Sequence, residues 1–234
     1  MAKRGPVPKR SDEVMGKHRT KERVTKAPAA TASPTAAPQP ASGADTSWHP
    51  LARAFYDSFG QSGQSFYFEP SDWEVLKILC DHMSVTLRGA KLNGELFQAV
   101  LGQAEDMMTT EASRRRMRLE TPVEHHQAPE PAEGWHERAA AFYEALKASG
   151  QAIYYQPSDW AFALFVAECL SMHYRATRGL AGRTYSMFRS AFTLLLATES
   201  ARRSLDMELV QAETRDIEAE VAEYMTKVDA EMGW

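Results

Sequence analysis

Apolar residues recur every three or four positions from Trp48 onward, and the pattern is written twice. Leu51, Phe55 and Phe59 share one face at a spacing of four, with Ala52 and Tyr56 beside them. Ala139, Phe142, Tyr143 and Leu146 repeat that face further along. This spacing predicts an amphipathic helix starting near Trp48 and another near Trp135, with Pro50 suited to an opening turn. Ser62-Gly63-Gln64 and Ser149-Gly150-Gln151 break these helices, glycine being the residue that best adopts a left-handed cap. The short aromatic runs Phe66-Tyr67-Phe68 and Ile153-Tyr154-Tyr155 follow. They read as extended linkers packed on the core, the alternative being a platform on which unpaired bases stack.

A second helix is predicted from Pro70-Ser71-Asp72-Trp73-Glu74, with Ser71 as N-cap and Glu74 completing a capping box. The second copy keeps Ser158 but has Ala161 in place of the glutamate. Asp72 and Asp159 fall in a first turn, where the helix dipole favours an acid, so they read as caps and not as catalytic carboxylates. Trp73, Leu76, Cys80, Met83 and Leu87 then follow at helical spacing, as do Trp160, Ala163, Ala167, Leu170 and Tyr174. Arg88-Gly89 and Arg178-Gly179 mark the stops. A third helix is expected after Asn93-Gly94 and after Gly182. Its buried stripe is Phe97, Val100, Leu101, Ala104, Met107 and Met108 in one copy, and Tyr185, Phe188, Phe192, Leu195 and Leu196 in the other. Both third helices are read as ending in arginines: Arg114, Arg115, Arg116 and Arg118, then Arg202 and Arg203. These either complement the dipole or form a phosphate-contacting patch. Beyond Arg203 the helix is expected to run on. There Val210, Ile217, Val221, Tyr224 and Val228 make an apolar stripe with partial coiled-coil spacing, fit for a partner protein, a neighbouring subunit or its own repeat.

The duplication is explicit in the letters. Trp48–Trp73 aligns without a gap on Trp135–Trp160 at an offset of 87 residues, with 14 of 26 positions identical. The similarity continues after a one-residue slip, where Thr110-Glu111 meets Thr198-Glu199 and Arg114-Arg115 meets Arg202-Arg203. The expected fold class is all-α: two tandem three-helix repeats with a disordered basic N-terminal arm and a long C-terminal helix. The divisions are 1–47 (arm and Ala/Pro linker), 48–120 (first repeat), 121–134 (linker), 135–205 (second repeat) and 206–234 (acidic helix). Duplication of a whole unit suits binding on two equivalent surfaces better than the single asymmetric site of an enzyme.

Charge sharpens this. The 234 residues carry a net charge of −4, but residues 1–26 hold nine Lys/Arg against three acids, and residues 206–234 hold nine acids against Arg215 and Lys227. The basic residues Lys3, Arg4, Lys9, Arg10, Lys17, Arg19, Lys21, Arg23 and Lys26 lack any apolar periodicity around them, so the arm is expected to be disordered when free. It reads as a salt-sensitive, largely sequence-blind phosphate binder, or else as a solubilising tail. No apolar run approaches the roughly 20 residues that span a bilayer, and no signal peptide is read, so a cytoplasmic location is expected. Cys80 and Cys169 sit in apolar helical patterns and read as buried free thiols. No phosphate-cradling glycine loop, nucleophile elbow, zinc-type cysteine pair or His-Glu-x-x-His motif is found, and His125-His126 lacks further ligands at matching spacing. No catalytic residue, metal or cofactor is therefore expected.

The opening Arg4-Gly5-Pro6-Val7-Pro8-Lys9-Arg10-Ser11-Asp12, and Gly16-Lys17-His18-Arg19-Thr20-Lys21 after it, resemble the head of small terminase subunits from tailed phages of actinobacteria. So do the Trp-His-Pro followed by Phe-Tyr, the Ser-Gly-Gln-Ser, the Pro-Ser-Asp-Trp and the closing Thr-Glu with paired arginines. The resemblance spans nearly the whole chain up to about Arg203. It departs in one respect: such proteins look like single units, whereas this chain carries two. The resemblance implies a non-catalytic protein, working without a cofactor in the host cytoplasm, that recognises double-stranded viral DNA at the packaging start. It implies delivery of that DNA to a large subunit carrying ATPase and nuclease, and assembly into rings. Lys3 to Lys26 would be the DNA-contacting arm and the acidic C-terminal helix a large-subunit or neighbour contact. The competing reading is a helical scaffold whose repeats bind two copies of a protein ligand, with no nucleic-acid role.

Overall fold

The computed structural model describes residues 43–121, 125–176 and 182–209, the side chain of residue 183 excepted. All regular structure among the described residues is helical. The first repeat runs α1 (Pro50–Phe59), a 3₁₀ turn (Gly63–Tyr67), α2 (Pro70–Arg88), α3 (Gly94–Asp106) and α4 (Glu111–Arg116). The second runs α5 (Glu137–Lys147), a 3₁₀ turn (Gly150–Tyr154), α6 (Pro157–Ala176), α7 (Gly182–Leu194) and α8 (Glu199–Arg203). Helix bounds correspond to within a residue at an offset of 87 through the second helix of each repeat and 88 after it.

The helices begin where their local chemistry satisfies orphan amides. His49 and His136 cap α1 and α5, each Nδ1 accepting from the amide two residues on at 3.2 Å. Proline at the first position fixes the start of α2 and α6, and in α2 the cap lies two residues upstream of the expected Ser71. Glu69 is the N-cap, and its amide donates to Asp72 Oδ2 at 2.7 Å; Glu74 instead pairs with Lys77. The aromatic runs form tight 3₁₀ turns and not extended linkers, and each buries only its last ring, Phe68 or Tyr155. Gly63 and Gly150 open these turns with no left-handed backbone, since Gly134 is the one described glycine with positive φ.

Among the described residues each repeat has four α-helices where three were expected. Met108 (φ 53°) and Leu196 (φ 49°) turn left-handed after α3 and α7, closed by Thr109 N donating to Ala104 O and Ala197 N donating to Phe192 O. Thr110 and Thr198 then cap new helices, their hydroxyls accepting from Ser113 N and Ala201 N. The arginines therefore belong to separate short helices. These close in the same way at Arg118 and Asp206, both at φ 56°, with Leu119 N donating to Arg114 O and Met207 N to Arg202 O. The helix expected to continue past Arg203 stops there, and residues 210–234 lie outside the described set.

One hydrophobic core runs through both repeats. Helix α6 is its axis: α1 and α5 both pack on it, and Trp160 through Ala167 are all buried. In each repeat the Trp-His pair ties the start of the first helix to the middle of the second. Trp48 Nε1 donates to Asp81 at 2.6 Å and His49 N to Ser84 Oγ at 2.7 Å. Trp135 Nε1 donates to Glu168 at 2.5 Å and His136 N to Ser171 Oγ at 2.8 Å. Phe97 lies against Phe165 and Phe188 of the second repeat. Its counterpart Tyr185, expected in a buried stripe, is 52% exposed, because the contact that covers Phe97 is made by only one side of each repeat.

Candidate functional site

One copy each of Ser-Gly-Gln, Pro-Ser-Asp-Trp and Thr-Glu-x-x-Arg converges on one place, a polar joint between the repeats. The last turn before α2 supplies Ser62 and Gln64. Ser158 N donates to Ser62 Oγ at 3.0 Å, and Gln64 Nε2 donates to Ser158 Oγ at 2.8 Å. Ser158 Oγ in turn donates to Thr109 O at 2.7 Å. One residue on, Asp159 sits at the N-termini of two helices at once. Its Oδ2 accepts from Gln156 N at 2.8 Å, closing the cap of α6, and its Oδ1 accepts from Glu111 N at 2.6 Å, the first amide of α4.

Arg114 completes the joint from the first repeat. Its Nη2 lies 2.6 Å from Asp159 Oδ2 and 3.1 Å from Glu111 Oε2, while Nη1 donates to Thr109 O at 3.1 Å. Arg114 and Asp159 are both 0% exposed. Outside them Arg115 Nε pairs with Glu111 Oε1 at 2.7 Å, and its guanidinium lies 5.1 Å from the centre of the Tyr154 ring. Burial raises the Asp159 carboxyl above its ordinary value, against the pull of Arg114 and the two amides. Burial raises Glu111 as well, with Arg114 opposing and Asp159 adding to the rise. Two helix dipoles and one guanidinium thus hold a dehydrated carboxylate. Its lone pairs are directed at fixed donors of the protein, which makes it a mechanical link and not a base facing a substrate.

Arg114, one of the expected phosphate contacts, points into the joint and is withdrawn from solvent. Arg115 is half-buried between Glu111 and Tyr154. Arg202 bonds Glu199 at 3.0 Å and Leu196 O at 3.0 Å, and Arg203 bonds Glu199 at 2.6 Å with 66% of its side chain exposed. Lys3, Arg4, Lys9, Arg10, Lys17, Arg19, Lys21, Arg23 and Lys26 lie outside the described residues, as do Val210, Ile217, Val221, Tyr224 and Val228. The joint itself was missed as a unit. Its signal is the paired recurrence of Asp in Pro-Ser-Asp-Trp and of Arg three residues after Thr-Glu, which together mark a long-range ion pair.

Cys80 and Cys169 are buried free thiols, each pushed up by burial. Among the described residues no group of three or more His, Cys, Asp and Glu is placed to hold a metal ion, and no helix is long and apolar enough to cross a membrane.

Fold and site together define an all-α protein of two like halves joined by a buried ion pair. The family model for the phage terminase small subunit matches it twice, over residues 3–128 and again over 120–233, and the chain belongs to that family. It is similar to the Gene 5 protein of Mycobacterium phage D29, 30% identical over 129 residues that cover 51% of this chain and 80% of that protein. It is also similar to the Gene 5 protein of Mycobacterium phage L5, 31% identical over 77 residues, covering 31% of this chain and 50% of that one. No solved structure matches.

Proposed function

We propose that this protein is the non-catalytic DNA-recognition subunit of a phage packaging machine. It binds double-stranded viral DNA at the packaging-initiation site and delivers it to the large terminase subunit, whose motor and nuclease it regulates in the host cytoplasm. It works as a homo-oligomer. The observation that carries this reading is the double match to the terminase small-subunit family, the first of which takes in the basic arm from residue 3. The arm concentrates nine cations in 26 residues of a chain whose net charge is −4. With Arg114 locked in the joint, phosphate contact falls to the arm, with exposed Arg203 as an accessory. The acidic segment with Val210, Ile217, Val221, Tyr224 and Val228 is the contact for the large subunit or a neighbour.

The test is binding to duplex DNA, followed by fluorescence anisotropy across a salt series. An arm that neutralises about six phosphates loses roughly a thousandfold in affinity between 50 and 200 mM salt. Replacing the nine arm Lys/Arg by Gln is expected to abolish both the binding and its salt slope. Unchanged affinity and slope in that variant would overturn the arm as the DNA contact and favour a protein-binding scaffold.

A further inference from the structure

We propose that the face of α2 bearing Ser71, Asp72, Ile78 and Val85 is the docking site for the second repeat of another copy of this chain. The contact reuses the joint that holds the two repeats together within one chain. This gives a residue-level form to the homo-oligomer part of the function above, and it rests on that part alone.

The joint has a direction. The first repeat supplies the donor half (Ser62, Gln64, Glu111 N, Arg114, Arg115), and the second supplies the acceptor half (Ser158, Asp159, Tyr154). Each half has a counterpart at the far end of the chain. Ser149, Gln151, Glu199, Arg202 and Arg203 repeat the donor half in the second repeat, and Ser71, Asp72 and Tyr67 repeat the acceptor half in the first. Residue type is identical at every one of these positions, although the two repeats differ at 12 of the 26 positions of their aligned opening. Within one chain Asp72 caps its own helix, and Arg202 and Arg203 bond Glu199. A complete second joint is therefore present in two separated halves.

Exposure largely follows the same division: apart from Gln151, which is 1% exposed, the residues buried in the intramolecular joint have counterparts at the chain's ends that are at least partly open. Phe165 is 0% exposed against 56% for Ile78, and Phe97 is 0% against 52% for Tyr185. Glu111 is buried and Glu199 exposed; Met172 is half-buried, while Val85 is 62% exposed. The α2 face is also more polar, with Glu74 and Lys77 where α6 has Ala161 and Leu164. That composition suits an interface that stands in water before it assembles.

Because α1 and α4 meet α6, and not their own equivalents, the contact is head-to-tail. Repeated between chains it leaves one donor half and one acceptor half at the ends until it closes, so it builds a ring or a filament and not a two-fold dimer. In the assembly Asp72 of one chain receives Arg202 and the Glu199 amide of the next, and Tyr67 receives Arg203. A ring of such chains presents two units per chain.

Molar mass by light scattering and sedimentation of the full chain, without DNA, tests this. The wild type is expected well above the 26.2 kDa of one chain. Ile78→Glu, at an exposed position that a folded monomer tolerates, is expected to drop the mass to that of one chain with its helical circular dichroism intact. Asp72→Arg and Arg202→Glu are each expected to do the same, and an equimolar mixture of these two to recover the assembly, since every contact then carries opposite charges. A wild type that stays assembled and ignores all three substitutions overturns this surface while the homo-oligomer reading stands. A monomeric wild type sinks both. A mixture that stays monomeric overturns the Asp72–Arg202 pairing, because simple misfolding of either variant is excluded by its circular dichroism.

Discussion

Asp72→Ala and Asp159→Ala make the same change in the same Pro-Ser-Asp-Trp motif, in two different settings. Asp72 is a half-buried cap that accepts the Glu69 amide. Losing such a cap costs about 1 kcal/mol. Asp159 accepts the Gln156 amide, the Glu111 amide and the Arg114 guanidinium, and it is fully buried. Removing it leaves Arg114 buried beside Glu111 alone and two helix N-termini short of an acceptor. Breaking a buried pair in this way costs about 3–5 kcal/mol. The assay is urea unfolding followed by circular dichroism, at concentrations low enough for the chain to sediment as a monomer. With a slope of about 2 kcal/mol/M, the midpoint falls by about 2 M for Asp159→Ala and about 0.5 M for Asp72→Ala. Arg114→Met is expected to cost about as much as Asp159→Ala, and Arg114→Met with Asp159→Leu less than the sum, since neither charge is then stranded. Equal shifts for Asp72→Ala and Asp159→Ala, or strict additivity of the pair, would refute the view that this ion pair locks the repeats.

His49 accepts the Leu51 amide at Nδ1, and its pKa is lowered by burial and by Arg88, against Glu168, so the folded state holds it neutral. The unfolded state takes up a proton below about 6.5. Stability is then full above that pH and is lost as pH falls toward the folded value; in unfolding curves taken between pH 7 and 5, His49→Asn, an uncharged cap, is expected to flatten the decline. Arg118 is exposed at φ 56°, so Arg118→Gly is expected to stabilise by about 0.5–1 kcal/mol and raise the melting temperature. Leu196 has the same backbone at φ 49° but is buried, so Leu196→Gly is expected to destabilise by about 2–5 kcal/mol. The two thiols should be silent to Ellman's reagent in the native protein and both titrate in denaturant; fast labelling of either in the native state would contradict their burial.

Much of the fold was legible because helices are local objects. The spacing of Leu51, Phe55 and Phe59, the proline of Pro-Ser-Asp-Trp and the Asn93-Gly94 start act over a few residues, and they place α1, α2 and α3 correctly. The extra helices α4 and α8 were written there too, in Thr110 and Thr198, but a left-handed Met108 or Leu196 is a poor advertisement for a helix end, since glycine is the residue that usually marks it.

What the sequence by itself determined was a helical unit, written twice in one register, with a cationic leader and an acidic tail. Only the tertiary structure decided which copy of each shared motif is hidden. Asp72 and Asp159, Arg202 and Arg114, and Tyr185 and Phe97 occupy equivalent positions with the same local signals. Their roles part because a contact with direction lets each repeat offer one side to the other and the opposite side to solvent. Local periodicity cannot carry that choice, since it depends on partners 45 or more residues away, as from Arg114 to Asp159.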